Sequence, residues 1–153
     1  MPRELVNYDE VLQDFKQLLK SNNLKQTKQR ERILEVIYSN KGHFTPEDIY
    51  NLIKEDSPDV KLGIATVYRT LALLEEGNIV SSISFGAQGK KYEFGLKEHH
   101  DHLVCTECGK IEEFMDDFIE KRQELIAKQH NFKMTDHIMK IVGVCEACQK
   151  KQK

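Results

Sequence analysis

Residues 64–94, IATVYRTLALLEEGNIVSSISFGAQGKKYEF, decide the architecture of the N-terminal half. Val67, Leu71 and Leu74 recur at helical spacing, so the pattern predicts a helix from about Ile64 to Glu76. It stops at Gly77, a residue suited to the left-handed position that ends many helices. Beyond it, Ile79 to Phe85 and Lys90 to Phe94 read as two strands joined by Gly86-Ala87-Gln88-Gly89. By itself the helix reads as an ordinary surface helix with one exposed tyrosine. A helix feeding a hairpin tipped with Lys90 and Lys91, however, is the pattern of a winged helix-turn-helix. There the last helix enters a major groove and the hairpin lies on the backbone. Ala65, Thr66, Tyr68 and Arg69 sit near the helix start on its other faces, where phosphates are favoured and Arg can read guanine.

Upstream, three more amphipathic helices fit. Val11, Leu12, Phe15, Leu18 and Leu19 mark a helix that ends near Ser21-Asn22-Asn23. A second starts at Thr27 as N-cap, turns Ile33, Leu34, Ile37 and Tyr38 inward, and stops around Asn40-Lys41-Gly42. Thr45-Pro46-Glu47-Asp48 announces the third, with a cap, a proline at the first helical position and acids in the first turn. Ile49, Leu52 and Ile53 form its buried side, and His43 lies in the preceding loop.

Downstream the pattern changes to α+β, with expected strands near His102 to Thr106 and Lys110 to Phe114, a helix over Asp117 to Gln129, and a long strand from Phe132 to Val144. That last strand would carry Phe132, Met134, Ile138 and Val142 on one face and Thr135, His137, Met139 and Ile141 on the other. Both faces being largely apolar calls for cover by more than one helix, which a subunit partner would provide.

The stretch that opens this half is His99-His100-Asp101-His102-Leu103-Val104-Cys105-Thr106-Glu107-Cys108-Gly109. With Cys145 and Cys148 near the other end, all 4 cysteines fall into two Cys-x2-Cys pairs. That is the complement of a closed, structural tetrathiolate zinc site. In an extended chain His100 and His102 share one face while His99 and Asp101 share the other, so one run can feed two further sites of nitrogen and oxygen ligands.

The bounds agree. A chain of 153 residues holds one ordinary domain or two small ones with thin cores, for which zinc is a suitable staple. The start of the chain has no leader pattern and no run is long enough for a membrane helix, so a cytoplasmic location is expected, where paired cysteines bind metal rather than form disulfides. Net charge is −2, and Lys plus Arg balance Asp plus Glu in both halves, so composition alone does not point to nucleic acid. The densest basic cluster is Lys25, Lys28, Arg30 and Arg32, which a solvated helix face explains equally well.

Taken together, Gly63-Ile64-Ala65-Thr66-Val67-Tyr68-Arg69-Thr70-Leu71, the histidine run into Cys105 and Cys108, and the terminal Cys145 and Cys148 resemble the ferric uptake regulator family over essentially the whole chain. The resemblance implies a winged-helix DNA-binding domain over residues 1–94, a hinge at 95–98 and a C-terminal α/β dimerisation domain over 99–153. It implies a homodimer on double-stranded operator DNA, with higher oligomers there left open. Cys105, Cys108, Cys145 and Cys148 match the family's structural Zn2+ ligands. His43, Glu93, His100, His102 and Glu113 match its regulatory site, and His99, Asp101, Glu120 and His137 an additional one. Lys25 corresponds to a minor-groove contact and Tyr68 and Arg69 to major-groove contacts, with Lys90 and Lys91 as further DNA-binding candidates.

The function this implies is a repressor of iron uptake genes, with Fe2+ as the physiological regulatory ion, replaceable by Zn2+ or Mn2+ in vitro. A peroxide, zinc or manganese sensor of the same family is the alternative. The peroxide-sensing branch typically carries Asp where this chain has Glu93 and Glu113, which favours iron. A zinc hydrolase would need an open coordination position, a general base and a cleft, and would leave the hairpin and its helix without a role, so no enzymatic activity is expected.

Overall fold

The computed structural model describes residues 6–84, 89–95 and 100–151. The chain forms two compact units, Met1–Glu98 and His99–Lys153, and its class is α+β. Among the described residues no helix is long and apolar enough to cross a membrane.

The first unit runs α1 (Tyr8–Ser21), α2 (Lys28–Ser39), α3 (Pro46–Asp56), α4 (Ile64–Glu76), β1 (Val80–Ser84) and β2 (Lys90–Phe94). The first three helices start where the sequence supplies a capping side chain, while α4 starts at Gly63 without one. Asn7 accepts from the Asp9 amide and Thr27 from that of Arg30. Thr45 and Asp48 make a reciprocal capping box, with Pro46 behind them. The helices bury a common core, in which Val11, Phe15, Ile33, Leu34, Ile37, Ile49, Ile53, Val67, Leu71 and Leu74 are all at 0% exposure. Burying one such aliphatic or aromatic side chain stabilises the fold by about 1.5–3 kcal/mol.

Gly77 has a different task from the one its position suggests. Its φ is −83°, and the left-handed residue is the next one, Asn78, at φ 59°. Asn23 and Asn131 take the same conformation after α1 and α5 (Asp117–Gln129), as asparagine can because its short amide tolerates it. Gly77 instead lies against α1: a Cβ there would stand 2.6 Å from Leu18 Cδ2, and that leucine would have to shift to admit it.

The strands β1 and β2 pair antiparallel from Val80↔Phe94 to Ser84↔Lys90. Of the expected connection Gly86-Ala87-Gln88-Gly89, the first three residues lie outside the described residues, as does Phe85 at the end of the expected strand. A separate bridge joins Phe44 to Tyr92, with N···O distances of 2.8 and 2.7 Å. It fixes the loop between α2 and α3 against β2, which places His43 next to Glu93.

The second unit runs β3 (Asp101–Cys105), β4 (Ile111–Phe114), α5, β5 (Lys140–Gly143) and α6 (Glu146–Lys151). Its sheet has the order β4-β3-β5, with β3 and β4 antiparallel and β3 and β5 parallel. The long strand expected from Phe132 to Val144 is not formed: among the described residues its strand is Lys140–Gly143. The register runs from His102↔Lys140 to Cys105↔Gly143, and the Met139 carbonyl accepts from the His102 N–H at 3.3 Å, so among the described residues the five-residue β3 pairs with nothing earlier in this segment. The apolar alternation of that segment survives as exposure: Phe132 is 73% exposed and Ile138 95%. Phe118 on α5 is 88% exposed, and α5 buries no residue in the single chain.

Candidate functional site

The four cysteines are brought together from both ends of the second unit. Cys105 ends β3, Cys108 follows in a turn closed by the Gly109 N–H donating to the Cys105 carbonyl at 3.0 Å, and Gly109 takes φ 75°. Cys145 and Cys148 stand just before and within α6, a helix the sequence reading did not expect. The Cys108 and Cys145 sulfurs are 3.7 Å apart, and all four Sγ atoms lie within 4.8 Å of one another. Thiolates at about 2.3 Å from a tetrahedral zinc are about 3.8 Å from one another, so the donor set fits that ion in type, number and spacing. Backbone amides are already aimed at it, the Cys145 N–H donating to Cys105 Sγ at 3.3 Å. The Cys108 and Cys145 amides pull the Cys105 thiol down to about 6. Cys148 is pushed up to about 12, chiefly by its hydrogen bond to Cys145.

Nitrogen and oxygen donors form separate groups. Within the first unit, His43 Nε2 lies 2.9 Å from Glu93 Oε2, and both side chains are less than a tenth exposed. Within the second, the His100 and His102 rings meet edge to face at 4.6 Å. His100 Nε2 is 3.2 Å from Glu113 Oε1, and Glu113 is the cross-strand partner of His102. Alternation left Glu112 and Glu113 undistinguished. The structure separates them, since Glu112 turns to Lys110 at 2.8 Å.

The opposite side of β3 carries Asp101, 1% exposed, which gathers with Glu120 of α5 and His137. His137 Nε2 stands 3.2 Å from Glu120 and 3.5 Å from Asp101. His99, the fourth residue expected there, lies outside the described residues. Two carboxylates and an imidazole suit a divalent cation, as do the histidine and glutamate groups. The division of His100 and Asp101 between two groups is what strand alternation predicts.

The DNA-reading candidates occupy the first unit. Tyr68 and Arg69 are exposed on α4, and Arg69 borders a concavity shared with Thr27, Arg30, Lys61 and Thr66. Lys25 is exposed between α1 and α2, where Arg30 Nη1 donates to its carbonyl at 2.5 Å. Lys90 reaches back to Glu75 of α4 at 3.7 Å, and Lys91 is half-buried on β2 opposite Ile83. The sequence reading treated Glu47 only as a first-turn acid. In the structure it accepts a hydrogen bond from the Tyr68 hydroxyl at 2.5 Å, which holds the phenol above its ordinary pKa. Spacing gives no signal for that pair, because it crosses between two helices.

The comparisons with known proteins agree with this arrangement. The family model of the Ferric uptake regulator family matches residues 21–142. The ferric uptake regulation protein of Campylobacter jejuni is 54% identical over 145 residues, covering 95% of this chain and 92% of that protein. That of Campylobacter upsaliensis is 50% identical over 153 residues, covering 100% of this chain and 98% of its own. A solved structure of the Helicobacter pylori ferric uptake regulator Fur, described as revealing three functional metal binding sites, superposes with a TM-score of 0.84. It is 37% identical and covers 96% of this chain and 97% of its own.

Proposed function

Because the chain belongs to the ferric uptake regulator family, we propose that it is a metal-responsive transcriptional repressor acting as a homodimer in the cytoplasm. It binds double-stranded operator DNA ahead of iron uptake genes when Fe2+ is abundant. Cys105, Cys108, Cys145 and Cys148 hold a structural Zn2+, which staples a unit whose own core is thin. His43 and Glu93 are one half of the regulatory site, and His100, His102 and Glu113 are the other. Asp101, Glu120 and His137, with His99, form the additional site.

The observation that carries this reading is the distribution of donors. His43 and Glu93 pair on the unit with the exposed α4, and His100, His102 and Glu113 gather on the unit with the uncovered apolar residues. The hinge at residues 95–98 joins them. When both halves hold one ion, the angle between units is fixed, and so is the separation of the two α4 helices in a dimer. Exposed Phe118, Phe132, Ile138 and Val142 support dimerisation through the C-terminal unit. Arg69 and Tyr68 read bases, Lys25 enters the minor groove, and Lys91 lies on the backbone, with Lys90 beside it once released from Glu75.

Imidazole and carboxylate donors accept several divalent ions, so the cell's supply decides which one acts. Operator duplexes selected from random DNA, titrated with protein that keeps its structural zinc, test the assignment. Ferrous ion should raise affinity at concentrations free in the cytoplasm, with manganous ion as a substitute. A response confined to zinc, or binding abolished by brief peroxide with ferrous ion, would assign the chain to another branch. Glu93 and Glu113 stand against the peroxide branch.

A further inference from the structure

Tyr68 is 48% exposed on α4, yet its hydroxyl is not left to solvent. It donates to Glu47 Oε1 at 2.5 Å, from one helix to the start of another. Glu47 sits in the first turn of α3. Thr45 Oγ1 accepts from the Asp48 amide at 3.0 Å and Asp48 Oδ2 from the Thr45 amide at 2.9 Å, and this capping box fixes the backbone of the turn that carries Glu47. A phenol donating to a carboxylate is among the stronger side-chain hydrogen bonds, and it strengthens where water is excluded, as in a filled groove.

We propose that Glu47 is a specificity-determining residue: by accepting the hydrogen bond of the Tyr68 hydroxyl it sets what the tyrosine can read on DNA. With its hydrogen committed, the hydroxyl presents only acceptor capacity, and the ring presents its apolar edge. Phosphate oxygens, guanine N7 and O6, and thymine O4 are all acceptors, and this tyrosine has nothing to donate to them. What it can meet is the thymine methyl group and the exocyclic amino groups of adenine and cytosine. The Glu47 carboxylate adds a second effect, repelling phosphates on every sequence alike and so lowering non-specific affinity. The two effects separate cleanly, because the charge acts equally on all duplexes and the readout acts only on some.

This inference rests on the reading of the chain as a DNA-binding regulator, and the test keeps the two apart. The metal-loaded full-length dimer would be titrated with operator and scrambled duplexes at several salt concentrations, as parent, Glu47→Gln, Tyr68→Phe and the double variant. Glutamine keeps the size but replaces the charged acceptor with an amide that can equally donate to the phenol oxygen, so the tyrosine proton is held less strongly and can turn to phosphates. Glu47→Gln should tighten both duplexes but the scrambled one more, so that the operator-to-scrambled ratio falls about tenfold, the scale of one lost base contact. In the Tyr68→Phe background the same change should leave the ratio unaltered. Alkaline titration of tyrosine absorbance should show Tyr68, identified by its loss in Tyr68→Phe, ionising at lower pH in Glu47→Gln than in the parent. Equal tightening on both duplexes, an equal fall of the ratio in both backgrounds, or an unmoved tyrosine titration would each overturn the proposal. A parent without operator preference would overturn the regulator assignment itself.

Discussion

Cys105 is one of four cysteines whose sulfurs lie within 4.8 Å of one another, and its replacement by Ser substitutes a weak hydroxyl ligand for a thiolate that backbone amides already favour. Because zinc binding by thiolates is coupled to folding and worth on the order of 10 kcal/mol in small domains, Cys105→Ser or Cys145→Ser should lose the ion and the folded dimer together. Zinc content and sedimentation check this, and a stable dimer retaining one zinc per chain would contradict it. Arg69 and Lys25 should fail in different ways. Removing Arg69 should cost roughly 1–3 kcal/mol on operator and little on scrambled DNA, while removing Lys25 should weaken both and lower the salt slope by about one. At this scale the cysteines were readable from spacing alone, since both pairs are local. His43, Glu93, Glu120 and His137 came from the family resemblance. Their grouping depends on a loop-to-strand bridge and on a helix packed near a strand, which no local pattern encodes.

Among the elements, α3 shows how far caps alone can be read. Thr45-Pro46-Glu47-Asp48 predicted its start, and the capping box is formed in both directions. Thr45→Ala should therefore lower the stability of the first unit by about 1 kcal/mol, visible as a reduced melting temperature with zinc content unchanged. The four helices and the hairpin strands were legible for the same reason, as caps, periodicity and turn residues are all local. The expected strand was too long because its alternation is genuine while its partner is short: strand length is set by what pairs, and in the parallel register β3 begins at Asp101, one residue before the His102 that faces Lys140. α6 escaped notice because Glu146 to Lys151 is too short for periodicity to show. β5 is also an edge strand with Ile141 and Val142 exposed, and α5 beside it in sequence buries nothing. A charge at the centre of such a surface should destroy the association it supports. Val142→Asp should weaken dimerisation by about 2–4 kcal/mol, the scale of a buried interface anchor, giving monomers by sedimentation that still bind zinc. An unaltered dimer would place the interface elsewhere.

At the scale of the whole molecule, the proposal turns on two bodies and the residues that connect them. Each body can be folded and correct while the molecule is inactive, because operator binding by a dimer demands a set distance between two recognition helices, matched to half-sites spaced by helical turns. A ligand moves such an equilibrium only through its differential affinity for one arrangement, and a change from mostly open to mostly closed needs about 5 kcal/mol of preference. Donors divided between the bodies supply it, since an open arrangement cannot offer all of them to one ion. His43 is the sharpest probe of this idea. It lies in the loop tied to β2 by the Phe44 and Tyr92 bridge, pairs with Glu93, and belongs to the unit that contains none of the cysteines. His43→Ala should leave the structural zinc, the melting of both units and the dimer as they are in the parent. Operator affinity in the absence of regulatory metal should also be unchanged, while the gain on adding ferrous or manganous ion is lost or much reduced. Titrations of the variant and the parent on the same operator, with zinc content and sedimentation measured on the same samples, check this. If the variant gains as much affinity as the parent, His43 is not part of the switch, and the response to metal must originate in the group of Asp101, Glu120 and His137 within the second unit.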